Sequence, residues 1–131
     1  MLAHGIDLAG LDRIEAVYKR YQDAFLRRVL TEAEKELLGP VEEALTERQL
    51  SWLTGRFAAK EAVLKALGTG LTRGTTWQDI EVLRRETGAP VVKLTGRAFE
   101  LYEEMKGKEI ELSITHDANI ALASCIILCE V

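Results

Sequence analysis

From about Val41 to Leu67 the chain reads as one long helical segment, halted by Gly68-Thr69-Gly70 and flanked by strand-like sequence on either side. That arrangement limits the fold to helices packed on a sheet. At about 100° per residue, Leu53, Phe57, Leu64 and Leu67 share a sector of about 80°, which is the expected buried face. Lys60 falls inside that sector, while Glu61 and Lys65 sit one turn apart on its shoulder. From spacing alone, Glu61 and Lys65 read as a surface ion pair worth about 0.2–0.5 kcal/mol. Alanines 58, 59, 62 and 66 favour the helix and leave room for another backbone or a ligand to come close.

Before the long helix, Leu2 to Leu8 alternates as a strand does, with Leu2, His4, Ile6 and Leu8 on an aliphatic face and Ala3, Gly5 and Asp7 on the other. A basic amphipathic stretch then runs from about Leu11 to Leu30, with Leu11, Ile14, Val17, Tyr18 and Tyr21 at helical spacing. Thr31-Glu32-Ala33-Glu34 has the form of a capping box and predicts a new helix, which Gly39-Pro40 ends; Pro40 suits the first turn of the helix that follows. After Gly70 come short strands at Ile80 to Arg84 and Val91 to Leu94, joined through Thr87-Gly88-Ala89-Pro90. A helix is expected from Thr95 to about Lys106, with Ala98, Leu101, Tyr102 and Met105 inside. Two last strands, Ile110 to His116 and Asn119 to Leu128, flank a corner at His116-Asp117-Ala118. The final strand is apolar on both faces, so it is either central in a sheet or covered by a neighbouring subunit. The fold class is α+β, a helical middle segment combined with an antiparallel sheet.

A chain of 131 residues suits one domain spanning residues 1–131, and no repeat, linker or low-complexity tract divides it. The longest apolar run, near Cys125 to Cys129, is far short of the roughly 20 residues that cross a bilayer. The first twelve residues lack a basic n-region and a cleavage site, so no secretory signal is read and a cytoplasmic location is expected. Cys125 and Cys129, four apart in a strand, have Cα atoms about 13 Å apart. A disulfide needs less than about 7 Å, so both read as small core residues. A net charge of −4 is a poor background for gripping a nucleic-acid backbone. Locally, Arg13, Lys19, Arg20, Arg27 and Arg28 outnumber Asp12, Glu15 and Asp23, a surplus that suits an acidic partner.

Several residues admit both a bland and a chemical reading. Gly68-Thr69-Gly70 is a helix stop, or a set of amides beside Lys65 able to hold a phosphate. No Gly-x-x-x-x-Gly-Lys-Ser/Thr loop occurs, which argues against an ordinary ATPase or GTPase. His116-Asp117 follows a strand end, where side chains can be presented to a site. His4 is read as a solvent-facing or edge-strand residue, and Trp52 and Trp77 as packing residues, either of which could instead lie near a ligand.

Taken together, three blocks resemble the holo-acyl-carrier-protein synthases, the small single-domain class of 4'-phosphopantetheinyl transferases. They are Gly5-Ile6-Asp7 with Arg13-Ile14, the run Gly55 to Gly70 with its Arg-Phe-Ala-Ala-Lys-Glu-Ala, and Leu112-Ser113-Ile114-Thr115-His116. Phe25 with Arg28 to Glu34, and the Gly88-Ala89-Pro90 hairpin, extend the likeness over nearly the whole chain. The resemblance implies transfer of 4'-phosphopantetheine from coenzyme A to a serine of an acyl carrier protein. It implies that Asp7 and Glu61 hold Mg²⁺, which takes oxygen ligands from one or two carboxylates plus substrate phosphates, with Lys65 beside the same phosphates. It further implies coenzyme A contacts from Arg56, Lys65, Gly68, Gly70, Pro90, Thr115 and His116, and a homotrimer with the cofactor cleft between subunits. The serine proton goes to Asp7 or to a water held by the cation. Arg13, Arg20 and Arg28 are implied in docking the acidic helix of the carrier protein; Asp23 amid these cations and Gly10 three residues after Asp7 depart from the family pattern. The alternatives are a module of the same fold that binds carrier protein or coenzyme A without transfer, and an unrelated metal-dependent phosphate enzyme.

Overall fold

The computed structural model describes residues 1–68 and 70–131. Chain order is β1 (Leu2–Gly10), α1 (Leu11–Tyr21), α2 (Asp23–Val29), α3 (Glu32–Leu38), α4 (Glu47–Leu67), β2 (Ile80–Arg84), β3 (Pro90–Leu94), α5 (Gly96–Glu104), β4 (Gly107–Asp117) and β5 (Ile120–Cys129). A single 3-10 turn at Trp77–Asp79 leads into β2. The α+β expectation stands, with an antiparallel sheet in the order β1-β5-β4 and a separate hairpin of β2 and β3.

α4 is buried nearly all round rather than along one stripe. Fifteen of its 21 residues are buried, among them Arg56 and Lys60 as well as the expected Leu53, Phe57, Leu64 and Leu67. The helix lies across the inner face of β1 and β5, and the small residues set the approach. A Cβ at Gly5 would run into the Ala62 carbonyl and stand 2.5 Å from the Ala66 amide nitrogen. The alanine positions therefore serve backbone-to-backbone contact, one of the two uses their size allowed.

α4 begins at Glu47, not near Val41. Thr46 caps it, accepting from the Gln49 amide at 3.1 Å while its own amide donates to Gln49 Oε1 at 3.0 Å. The Gln49 amide group then donates to the carbonyls of Leu38 and Pro40, tying down an irregular link where Pro40 was expected to open a helix. The basic stretch also divides, because Gln22 at φ 49 separates α1 from α2. At the far end Gly68 adopts φ 81, the left-handed conformation that suits a glycine stop. Thr69, in the middle of the expected stop, lies outside the described residues.

In β1 the inner residues are Gly5, Asp7 and Ala9, whereas Leu2, Ile6 and Leu8 are exposed. Alternation was correct; the aliphatic face points away from α4, because only the small-residue face admits a helix so close. Ile120, Ile126 and Leu128 of β5 continue the exposed apolar surface on the same side. β5 is central in its sheet, and Cys125 and Cys129 are buried free thiols on its inner face. The β4–β5 corner is tighter than expected, with both His116 and Asp117 inside β4 and Ala118 at φ 52 making the turn. No helix is long and apolar enough to cross a membrane among the described residues.

Candidate active site

Asp7 leaves β1 on the side that faces α4, and Lys65 rises from the last turns of that helix to meet it. Lys65 Nζ donates to Asp7 Oδ1 and to the Ile6 carbonyl, each at 3.0 Å, across 58 residues of sequence in the first case. Glu61 sits one turn before Lys65 on the same helix, so both project to the same side. The pair read from spacing is absent: Lys65 bonds β1, and Glu61 Oε2 accepts instead from the Trp77 indole nitrogen at 3.3 Å. Tertiary partners have displaced a local i, i+4 contact. Trp77 is thus more than a packing residue.

The two carboxylates fit a magnesium ion by donor chemistry. Among the described residues each spends one oxygen on a protein donor and keeps the other, and both are only partly buried. Among the described residues no group of three or more His, Cys, Asp or Glu side chains gathers into a cage. Such a set suits a cation that completes its shell with substrate phosphates and waters.

Of the two readings of Gly68, the geometry supports the helix stop. Its amide donates back into α4, to the Leu64 and Lys65 carbonyls, and so closes the helix instead of standing free for a phosphate. The Gly70 carbonyl accepts from Thr75 Oγ1 at 2.7 Å.

A second cluster lies toward the other end of α4. A cleft of about 500 Å³ is lined by Arg48, Trp52, Arg56, Arg84, Pro90 and His116 among others. Arg56 and Lys65 are nine positions apart, about 13.5 Å along the helix axis, so one chain holds its expected coenzyme A contacts in two separate places. Burial first, and the neighbouring Arg84 charge second, draw the Arg56 guanidinium below its usual pKa, with Glu34 opposing. Three arginines in one cleft is an arrangement that an anion relieves. His116 Nε2 donates to the Ser51 carbonyl at 3.0 Å, and a Cβ on Gly55 would lie 2.9 Å from that nitrogen. Gly55 is therefore what lets β4 close on α4. Thr115 alternates to the outer face of the sheet and does not join this cleft. Arg48 and Arg84 went unread, although Arg48, Trp52 and Arg56 stand at i, i+4, i+8 on one helix face and share a signal the sequence carried.

The three docking candidates are exposed cations over aromatic rings. Arg13 lies 5.7 Å from the Phe57 ring centre, Arg20 5.3 Å from Tyr21 and Arg28 5.7 Å from Trp77. Asp23 pairs with Arg27 at 3.1 Å, so among the described residues none of the three has a carboxylate partner.

Residues 3–123 match the family model of the 4'-phosphopantetheinyl transferase superfamily, and the chain belongs to that family. The holo-[acyl-carrier-protein] synthase of Solibacter usitatus is 42% identical over 126 residues, 94% of each chain. Among solved structures, the holo-[acyl-carrier-protein] synthase of Neisseria meningitidis aligns with a TM-score of 0.84 at 28% identity, covering 96% of this chain and 97% of that one. The Helicobacter pylori enzyme, solved in complex with coenzyme A, aligns at 0.80 and 30% identity over 95% of this chain and 99% of its own.

Proposed function

We propose that this chain moves the 4'-phosphopantetheine arm of coenzyme A onto a serine hydroxyl of an apo acyl carrier protein and releases adenosine 3',5'-bisphosphate. The observation that carries the reading is the 3.0 Å contact between Lys65 and Asp7, which sets an ammonium and a carboxylate side by side one turn from Glu61. In the reaction the serine oxygen forms a bond to the phosphorus next to the pantetheine arm. The bond from that phosphorus to the bridging oxygen breaks, and its electron pair leaves with the nucleotide. Lys65, more than half exposed, offers its charge to the oxygens that gain negative character. A magnesium ion held by Asp7 and Glu61 would neutralise the pyrophosphate and ease departure of the nucleotide. Asp7 is already engaged by Lys65, so the serine proton is assigned to a water beside the site.

The arginine cleft supports the nucleotide end of coenzyme A, with Arg56, Pro90 and His116 contributing. Its separation from Lys65 within one chain agrees with a homotrimer in which the cofactor lies between copies, and the exposed apolar face of β1 and β5 is the surface such contacts would cover. We read the chain as one domain acting in the cytoplasm. Arg13, Arg20 and Arg28 receive the acidic carrier, so kcat/KM is expected to fall steeply with salt; a salt-independent value counts against docking there.

The decisive experiment incubates the protein with apo carrier, coenzyme A and Mg²⁺, with and without chelator, and weighs the acceptor by mass spectrometry. The acceptor gains the phosphopantetheine mass with metal only, and Glu61→Gln abolishes the gain. An acceptor of unchanged mass under saturating substrates defeats the reading in favour of a binding module.

A further inference from the structure

Trp77 joins the two most distinctive features of the molecule, the Glu61 carboxylate and the buried Lys60–Glu34 ion pair. Its indole nitrogen, which can only donate, holds Glu61 Oε2 at 3.3 Å. Its carbonyl accepts from Lys60 Nζ at 3.1 Å. Lys60 is itself fixed by Glu34 Oε1 and by the Val29 carbonyl, both at 2.6 Å. The ring lies 5.7 Å from Phe57 and has Arg28 over its face, so the indole has little freedom to swing.

A glutamate on a half-buried helix position has three side-chain torsions and would otherwise sample several orientations. A donor anchored from both its backbone and its ring removes that freedom and leaves Oε1, which has no donor among the described residues, as the oxygen to ligate. We propose that Trp77 is a positioning residue for Glu61. Its indole N–H orients the carboxylate before cation and coenzyme A arrive, and the Lys60–Glu34 pair fixes the backbone from which the indole acts. A phenylalanine could fill the same space but could not orient the carboxylate. The proposal rests on the reading of Glu61 as a cation ligand.

The test measures Mg²⁺ binding by calorimetry on protein saturated with coenzyme A and given no acceptor, in the parent, Trp77→Phe, Glu61→Gln and the double variant. Outer partners of metal ligands are worth about 10–100-fold in affinity, and Trp77→Phe is expected at the lower end, near 10-fold. With Glu61 already replaced, Trp77→Phe should change nothing further. Equal weakening in both backgrounds, or none with Glu61 present, overturns the proposal while leaving Glu61 a ligand. If Glu61→Gln alone leaves Mg²⁺ binding intact, the reading of Glu61 falls and the proposal falls with it. A second measurement does not depend on the folding of Trp77→Phe. The chain has two tryptophans, so Trp52→Phe leaves Trp77 as the single indole. Its emission should change on Mg²⁺ addition with the calorimetric midpoint, and should not change when Glu61 is also replaced by Gln. Emission indifferent to Mg²⁺ overturns the proposal.

Discussion

α4 carries two lysines five positions apart, and each meets a carboxylate from a distant part of the chain. Lys60 and Glu34 are 2.6 Å apart with both side chains fully buried. Lys65 and Asp7 are 3.0 Å apart with the lysine 55% exposed. The buried pair is saturated: Lys60 also bonds two carbonyls, and Glu34 accepts from the Thr31 and Val82 amides. Nothing is left over for a ligand, so its work is to join α3, α4, β2 and the turn before it. The exposed pair has oxygens and protons to spare and faces water, which are conditions for chemistry. Two lysine–carboxylate pairs anchored on one helix thus divide structure from function by solvent access.

Breaking the buried pair should have the largest effect. Lys60→Ala leaves a carboxylate in the core without its counter-charge, at a cost of about 3–5 kcal/mol. Urea unfolding reads this directly. Replacing both partners, as Lys60→Met with Glu34→Leu, should recover part of the loss but not all, because the amides of Thr31 and Val82 lose their acceptor. A Lys60→Ala protein as stable as the parent would mean that water reaches the pair. The mirror experiment is Lys65→Met, where unfolding should shift by no more than about 1 kcal/mol because the pair is solvent-exposed. The transfer rate should instead drop about 100-fold, equivalent to about 2.7 kcal/mol of barrier. If stability fell and rate held, the two lysines would have exchanged roles.

The same contrast explains what the sequence could disclose. Strand periods, the Thr31 box and the Gly68 stop are local patterns, and they placed most elements, whereas the candidate site residues came from the family resemblance that the run from Arg56 to Lys65 helps to carry. The partner of Lys60 was not local. Glu34 has the spacing of a helix cap, and it does cap, but its second use depends on packing across 26 residues. For the same reason Lys65 looked like Glu61's partner until β1 arrived. Which face of β1 packs is not legible in its alternation, because hydrophobicity points to Leu2, Ile6 and Leu8, whereas the packed side is chosen by how close α4 must come.

That close approach gives the next prediction. Gly5→Ala puts a methyl group against the backbone of α4, and the adjustment should cost about 1–3 kcal/mol. Because Asp7 is two residues on and on the same face, the displaced strand should also pull Asp7 from Lys65. Rate should therefore fall together with stability, unlike in Lys65→Met, linking the two regions in one variant. An unchanged rate in a destabilised Gly5→Ala protein would show that Asp7 keeps its place without the close contact.

The sharpness of the boundary between dry core and wet site can be read from Cys125, paired in register with Gly5 and two positions from the partner of Asp7. Burial pushes its thiol from 9.0 up to about 12. The unfolded chain releases this proton from about pH 9 while the native chain keeps it. The native state then binds more protons, so this contribution is complete below pH 9 and is lost as pH rises toward 12. Lys60 acts in the opposite sense, since burial lowers its pKa against the pull of Glu34. The thiol is therefore isolated by comparing the parent with Cys125→Ala in reducing urea titrations. The parent's advantage should be constant to pH 9 and then narrow by on the order of 1 kcal/mol per pH unit. A difference that stays flat through alkaline pH would bring water to the inner face of β5, and the division between the two lysines would lose its physical basis.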